Sequence, residues 1–237
     1  MTLLQLTGIH TYIGSSHILQ GIDIEIKPGE VVGLFGRNGV GKTSVIKTIA
    51  GWLPPSQGEI IFQGKNIAGL PSEKIARLGI ALVPEDRRIF SGLTVEDNLK
   101  MGLMQLPSGI RSKQKIKIAE LYSQFPRLLE RKHQLGNTLS GGEQQMLAIA
   151  RALVGSPKLI LIDEPTEGLA PMIVAEIFSL LKNLKEEGVS ILLIEQNVHK
   201  ALKLCDRHYG IERGQVVNHG YSNLVEDVDL LMKSIAV

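Results

Sequence analysis

Gly36-Arg37-Asn38-Gly39-Val40-Gly41-Lys42-Thr43 is the segment of this chain whose chemistry is plainest. Its spacing is G-x-x-x-x-G-K-[ST], in which glycines let successive backbone N–H groups close around a polyphosphate. The segment follows an apolar run, Val31–Phe35, and leads into a helical pattern from Lys42 to Ala50. A helix start at that point adds its partial positive charge to the amides. Lys42 then reaches the β- and γ-phosphates, and the Thr43 hydroxyl ligates Mg²⁺. Gly36 through Gly41, Lys42, Thr43 and the following Ser44 are therefore the expected phosphate-binding set. A plain Gly-rich turn would account for the glycines, but not for strand, loop and helix in register.

Leu159-Ile160-Leu161-Ile162-Asp163-Glu164 is an apolar strand that delivers two carboxylates at its C-terminal end, where α/β sheets place ligands. Asp163 is suited to hold the Mg²⁺ of Thr43, and Glu164 to polarise an attacking water as general base. Strands often end in charged turns, so the pair gains its weight from the phosphate loop upstream. A third segment, Leu139-Ser140-Gly141-Gly142-Glu143-Gln144, has a Ser cap, two glycines that expose backbone N–H groups, and an amphipathic helix after them. A simple N-cap explains Ser140 and leaves the double glycine unexplained. One chain thus carries two phosphate-binding helix starts and one lysine loop.

The elements that must position these residues are legible as short apolar runs. Val31–Phe35, Ile80–Val83, Leu159–Ile162 and Ile191–Ile194 read as strands buried on both faces of a parallel sheet. Between them, Val45, Ile46, Ile49 and Ala50 share one side of a helix. Met146, Leu147, Ala150, Leu153 and Val154 recur at helical spacing from Glu143 to Val154. Alternating strands and helices predict an α/β architecture. Ile22, Ile24 and Ile26 alternate with Asp23 and Glu25, as in a half-exposed antiparallel strand; Gly58–Gln63 and the pair flanking Arg213-Gly214 look similar. They predict an antiparallel subdomain on one edge of the parallel core. Thr94 to Thr138 reads as a helical insert broken at Pro107, Gly109 and Pro126, with a basic run from Arg111 to Lys117 as a solvated face. The tail after Gly220 reads as a short docked helix. A single domain over residues 1–237, with its insert at 94–138, is the expected organisation.

Composition narrows the function classes. A formal net charge of +2 gives no electrostatic case for nucleic-acid binding. The one cysteine, Cys205, excludes an intrachain disulfide and a Cys-cluster metal site, fits a reducing compartment, and reads as a small buried hydrophobe. No segment approaches the roughly 18 uninterrupted apolar residues of a membrane span. The N-terminus lacks the basic start and apolar stretch of a signal peptide. A cytoplasmic protein is expected, whose membrane role comes through a partner.

With the phosphate loop and Leu139–Gln144 both in place, the chain resembles the ABC ATPase family over nearly its whole length. In that family LSGG[EQ]Q is the signature motif, which completes the ATP site of an opposing subunit. The resemblance implies an α/β P-loop core of ABC type with an antiparallel β edge subdomain and a helical insert. It implies hydrolysis of ATP to ADP and phosphate with Mg²⁺. It also implies a head-to-tail dimer with two ATP molecules between phosphate loops and signatures, so that Ser140, Gly141, Gly142 and Glu143 serve the partner's nucleotide. Tyr12 lies where the family places an aromatic that stacks on adenine; the alternative is a turn aromatic that packs locally.

Three departures narrow the subfamily. Where the family usually has Gln after the strand Ile80–Val83, this chain has Glu85, in Val83-Pro84-Glu85-Asp86-Arg87-Arg88-Ile89-Phe90. Where it usually has His after Ile191–Ile194, Glu195-Gln196-Asn197 puts Gln196. Where the D-loop usually ends in Asp, Thr166-Glu167-Gly168-Leu169-Ala170-Pro171 gives Ala170. By this resemblance Glu85 belongs to the metal and catalytic centre and Gln196 to the γ-phosphate. The three variants together look like one of the two ATPase subunits of branched-chain (hydrophobic) amino acid importers. Gly14-Ser15-Ser16-His17-Ile18-Leu19, Gly36–Gly41 and Thr166-Glu167-Gly168 also look like the corresponding subunit of urea importers, and that alternative stays open. The partners implied are a second ABC ATPase, identical or different, integral membrane permease subunits, and indirectly a solute-binding protein, with no nucleic acid. The chain would then be peripheral on the inner face of the cell membrane. DNA-repair relatives carry a long coiled-coil insert between loop and signature, and ribosomal relatives usually carry two cassettes; neither is present. A nucleotide kinase shares the phosphate loop, but the segment at Ser140 argues against it.

Overall fold

The computed structural model describes residues 1–104 and 114–235. The strands are β1 (Leu4–Ile13), β2 (Ser16–Ile26), β3 (Val31–Phe35), β4 (Gln57–Phe62), β5 (Lys65–Asn66), β6 (Ile80–Val83), β7 (Leu159–Asp163), β8 (Ser190–Ile194), β9 (Arg207–Glu212) and β10 (Gln215–Tyr221). They form two sheets, a four-stranded one in the order β2-β1-β4-β5 and a six-stranded one in the order β10-β9-β3-β8-β7-β6. The small sheet is antiparallel throughout. The large one is parallel except for β10, which runs antiparallel to β9.

The four apolar runs read as strands are β3, β6, β7 and β8, and every residue of β3, β7 and β8 is buried. Their alternate residues feed two apolar layers, as the two-residue period of a strand requires. On one face Val32, Leu34, Leu161, Leu192 and Ile194 pack with Ile22, Ile24, Ile26, Ile60 and Phe62 of the small sheet and with Val45, Ile46 and Ile49 of helix α1 (Lys42–Ile49). On the other, Val31, Ile160, Ile162, Ile191 and Leu193 pack against helices introduced below. At about 1.5–3 kcal/mol per buried aliphatic side chain, these layers dominate the stability of the fold.

The hairpin flanking Arg213-Gly214 forms as read, but it does not join the antiparallel sheet. β9 pairs parallel with β3, and so the hairpin extends the six-stranded sheet. The alternation that prompted the comparison exists in β10 alone; His208 to Ile211 of β9 are buried in succession, the pattern of an interior strand.

Helix α2 is Ser72–Leu78. The insert contributes α3 (Val95–Leu103), α4 (Gln114–Gln124), α5 (Pro126–Glu130) and a 3₁₀ turn at Gly136–Thr138. The expected break at Pro126 is the first position of α5, where a missing N–H costs nothing. Pro107, Gly109 and the start of the basic run at Arg111 lie outside the described residues; at its end, Lys117 donates to Ser156 Oγ at 2.7 Å. Helix α6 (Gly141–Leu153) begins two residues before its apolar pattern; α7 is Pro171–Glu186 and α8 is Val198–Leu202. The tail is the docked helix α9 (Val225–Ile235), anchored by buried Leu231. Cys205 is buried and free, and burial raises its thiol pKa. Among the described residues no helix is long and apolar enough to cross a membrane.

Candidate nucleotide site

The turn between β3 and α1 is left-handed at Gly39 and Gly41, with φ of 81° and 113°. At Gly36 a Cβ would run into the Ile211 carbonyl oxygen, so no other residue fits there. Gly41 is the N-cap of α1, which leaves the first amides of the helix pointing into the loop. Lys42 is buried, and its Nζ donates to the carbonyls of Gly36 at 2.9 Å and Arg37 at 3.0 Å. Burial lowers the Lys42 pKa, while the charges of Glu164 and Asp163 work the other way.

A cavity of about 320 Å³ opens beside this loop. Asn38, Gly39, Gly41, Lys42, Thr43 and Ser44 line one side, and Glu85, Glu164, Glu167 and Gln196 the other. The opposing residues come from the turns after β6, β7 and β8, so four strand ends of the parallel sheet converge on one spot. Gly36, Arg37 and Val40 support the loop rather than line the cavity; the Val40 carbonyl accepts from Gly214 N–H at 2.9 Å.

Asp163 is the last residue of β7 and 2% exposed. Burial raises its pKa; a hydrogen bond from Thr43 and the nearby charges of Lys47 and Lys42 oppose that rise. Its Oδ1 has no hydrogen-bond partner among the described residues. Leaving a buried acceptor unpaired costs about 1–3 kcal/mol, more when it is charged. An orphaned carboxylate oxygen beside a Thr hydroxyl is the hard-oxygen donor set that Mg²⁺ takes, so the residues present fit the metal.

Glu164 has φ 45°, a left-handed conformation that costs a non-Gly residue on the order of 1–3 kcal/mol. Its N–H donates to the Ile194 carbonyl at 2.9 Å, which ties the β7 turn to the end of β8. Its Oε2 accepts from Gln196 Nε2 at 2.6 Å, and Gln196 also reaches Glu167 Oε1 at 3.4 Å. The carboxylates of Glu85, Glu164 and Glu167 lie within 4.8 Å of one another. Partial burial raises the Glu85 pKa first, and the negative charges of Glu164, Glu167 and Asp163 raise it further.

Ser140 caps α6 in a reciprocal box: Glu143 N–H donates to Ser140 Oγ at 3.4 Å, and Ser140 N–H and Oγ–H donate to Glu143 Oε2 at 2.9 and 2.8 Å. Arg131 of the insert pairs with the other Glu143 oxygen at 2.6 Å. The second glycine has a packing reason that the sequence did not reveal, because a Cβ at Gly142 would sit 2.8 Å from Ile173 of α7. Gly141 faces outward beside the Arg87 guanidinium and Leu169. None of Ser140, Gly141, Gly142 and Glu143 lines the cavity at Lys42.

Tyr12 does not line that cavity either; its neighbour Ile13 does, with Ile18. The Tyr12 ring lies parallel to His17, centroids 4.3 Å apart, and His17 Nε2 is 3.0 Å from His10 Nδ1. One face of Tyr12 is thus covered by its own hairpin.

Sequence reasoning missed Glu167, although its place three residues after Glu164 put it in the same turn. It also missed Arg151 of α6, which donates to the carbonyls of Arg88 at 2.7 Å and Arg87 at 3.0 Å. Arg87 and Arg88 both have positive φ, so Arg151 braces a strained turn just after Glu85. A contact to backbone carbonyls leaves no trace in residue type.

A largely parallel sheet with a glycine loop and carboxylates at its strand ends defines a P-loop ATPase. The ABC transporter family profile matches residues 19–167. The high-affinity branched-chain amino acid transport ATP-binding protein BraG of Pseudomonas aeruginosa is 47% identical over 217 residues, 92% of each chain. A crystal structure of a nucleotide-free ATP-binding cassette from an ABC transporter is similar with a TM-score of 0.87 and 26% identity, covering 100% of this chain and 97% of that one. A dimeric ATP-binding cassette in a post-hydrolysis state bound to ADP and phosphate is similar with a TM-score of 0.79 and 25% identity, covering 93% and 99%. The chain belongs to the ABC transporter ATP-binding family. It binds and hydrolyses ATP, and subunits of this family work as dimers with membrane permeases.

Proposed function

We propose that this chain powers an importer of branched-chain or other hydrophobic amino acids, as one of its two ATPase subunits. The observation that carries this is the similarity to BraG along 92% of both chains, joined to Glu85, Ala170 and Gln196 in place of the family's usual residues. The whole of residues 1–237 acts as a single ATPase domain. Its working place is the inner face of the cell membrane, where it is held by permease subunits and served indirectly by a solute-binding protein.

In this reading Gly36 through Ser44 hold the phosphates, Lys42 neutralises the β- and γ-phosphate charge, and Glu164 takes the proton of the attacking water. Thr43 and Asp163, with Glu85 nearby, hold Mg²⁺, which when bound neutralises developing charge on the phosphate oxygens. Gln196 reaches the γ-phosphate and orients Glu164. The separation of Ser140–Glu143 from the cavity supports a site completed by the signature of an opposing subunit. Tyr12 would stack on adenine only through its uncovered face, with Ile13 and Ile18 as the apolar wall nearer the phosphates. A groove of about 380 Å³ lined by Trp52, Arg88, Phe90, Met101 and Arg151 offers exposed aromatic surface for a permease segment. Arg151 lies between this groove and the turn after Glu85, so permease movement is felt at the site.

Gln196 cannot carry a positive charge as His can. An ATP site built on this chain's own residues is therefore slow, and Ala170 weakens its seam, so the cellular pair is a heterodimer with an ATPase that keeps the usual residues. Gln196→His preserves or raises the ATPase rate. Gln196→Ala lowers it by about 10- to 100-fold, the loss of one hydrogen bond to a charged group. A silent Gln196→Ala in the assembled transporter would mean that Gln196 does not touch the phosphate.

The transported solute is tested by deleting the gene and following labelled leucine and labelled urea, with membrane co-purification to name the partners. Leucine uptake is expected to fall and a second ATPase to co-purify. Unchanged leucine uptake, with no redundant system present, and lost urea uptake would overturn the amino acid assignment and leave the ATPase intact.

A further inference from the structure

Glu195 follows the last residue of β8, is 4% exposed, and has no part in the chemistry described so far. A buried carboxylate is costly unless donors surround it. Burial raises the Glu195 pKa, and the Thr166 hydroxyl and the backbone N–H groups of Thr166, Gln196 and Asn197, which favour the charged form, oppose that rise without cancelling it. Even so, Glu195 Oε1 has no hydrogen-bond partner among the described residues. The donors belong to two turns. Thr166 lies two residues after Glu164 in the turn that follows β7, and Gln196 and Asn197 form the turn that follows β8. These turns carry the two side chains that meet at 2.6 Å, Gln196 and Glu164.

We propose that Glu195 is a positioning residue: its buried carboxylate ties the turn after β7 to the turn after β8 and so fixes Gln196 against Glu164. This rests on the roles given above to Glu164 and Gln196. A carboxylate suits the place because it only accepts, and the Thr166 hydroxyl and the N–H groups of Thr166, Gln196 and Asn197 are donors. Glutamine has the same size but no charge, so it accepts more weakly from the same donors and the tie loosens while the packing stays.

The test is steady-state ATP hydrolysis by the assembled transporter carrying Glu195→Gln, with and without Gln196→Ala, alongside the melting temperature of the full chain. We expect kcat to fall about tenfold or more, as for a misplaced catalytic group. KM for ATP should stay within about twofold, because phosphate binding does not pass through Glu195. In the Gln196→Ala background the same substitution should cost less than about threefold, since the group it positions is gone. Wild-type kcat in Glu195→Gln, or equal fold-losses in both backgrounds, would overturn the proposal. Should Glu195→Gln fail to fold, Thr166→Val removes one donor from the same carboxylate. A loss of about threefold that vanishes with Gln196→Ala supports the tie, and an unchanged kcat overturns it. Wild-type rates in Glu164→Gln or Gln196→Ala would sink the site assignment itself, whereas impairment of both beside a fully active Glu195→Gln sinks only this inference.

Discussion

Replacing Lys42 by alanine is expected to abolish ATP hydrolysis, by at least about 100-fold, the cost of removing one preorganised charge donor from a phosphoryl-transfer site. ATP binding should weaken as well. The geometry gives two reasons. Among the described residues Lys42 is the one cation lining the cavity, where it faces Glu85, Glu164 and Glu167; without it, those carboxylates repel the triphosphate uncompensated. Its ammonium also draws the Gly36 and Arg37 carbonyls inward, which leaves the loop amides directed at the cavity. The fold should survive, because the substitution leaves intact the apolar layer that Val45, Ile46 and Ile49 help to form. The rate of phosphate release and the melting temperature, measured together on purified protein, check both halves. Wild-type turnover, with contaminating ATPases excluded, would overturn the location of the active site.

What the sequence made legible follows from how each feature is encoded. β3, β6, β7 and β8 were readable because strands covered on both faces are apolar runs, and the phosphate loop because its backbone needs glycine at fixed places. β9 was assigned to the wrong sheet because a hairpin signal says which strand follows which, and nothing about the parallel neighbour on the far side, here β3. The tight contact of Gly142 with Ile173 was not legible, because the neighbouring helix that imposes it is remote in sequence. The stack of Tyr12 on His17, five positions on, was not legible, because only the β1–β2 register brings the two rings alongside. Glu195 and Arg151 were missed for one reason: their partners lie on another strand end or are backbone atoms, and residue type does not record them.

Glu164→Gln should separate binding from chemistry. The amide keeps the size of the carboxylate and can still accept from Gln196 Nε2, so the 2.6 Å contact and the left-handed turn at Glu164 persist. What goes is the basic oxygen that takes the proton of the attacking water, a contribution of about 10²–10⁴-fold. Binding should not weaken and is expected to tighten. The substitution removes one negative charge from the group that Glu164 forms with Glu85 and Glu167, and that group faces the same space as the triphosphate. ATP should therefore be bound, and the chain should accumulate as an ATP-loaded dimer with little turnover, seen as an ATP-dependent shift in size-exclusion elution beside a kcat reduced at least about 100-fold. The same relief should bring the Glu85 pKa back toward the ordinary carboxylate range, since Glu164 is the first of the charges that raise it. Should the variant lose ATP binding instead, Glu164 would be a support for the turn between β7 and β8, anchored through its N–H to Ile194, and the base would have to be sought among its neighbours.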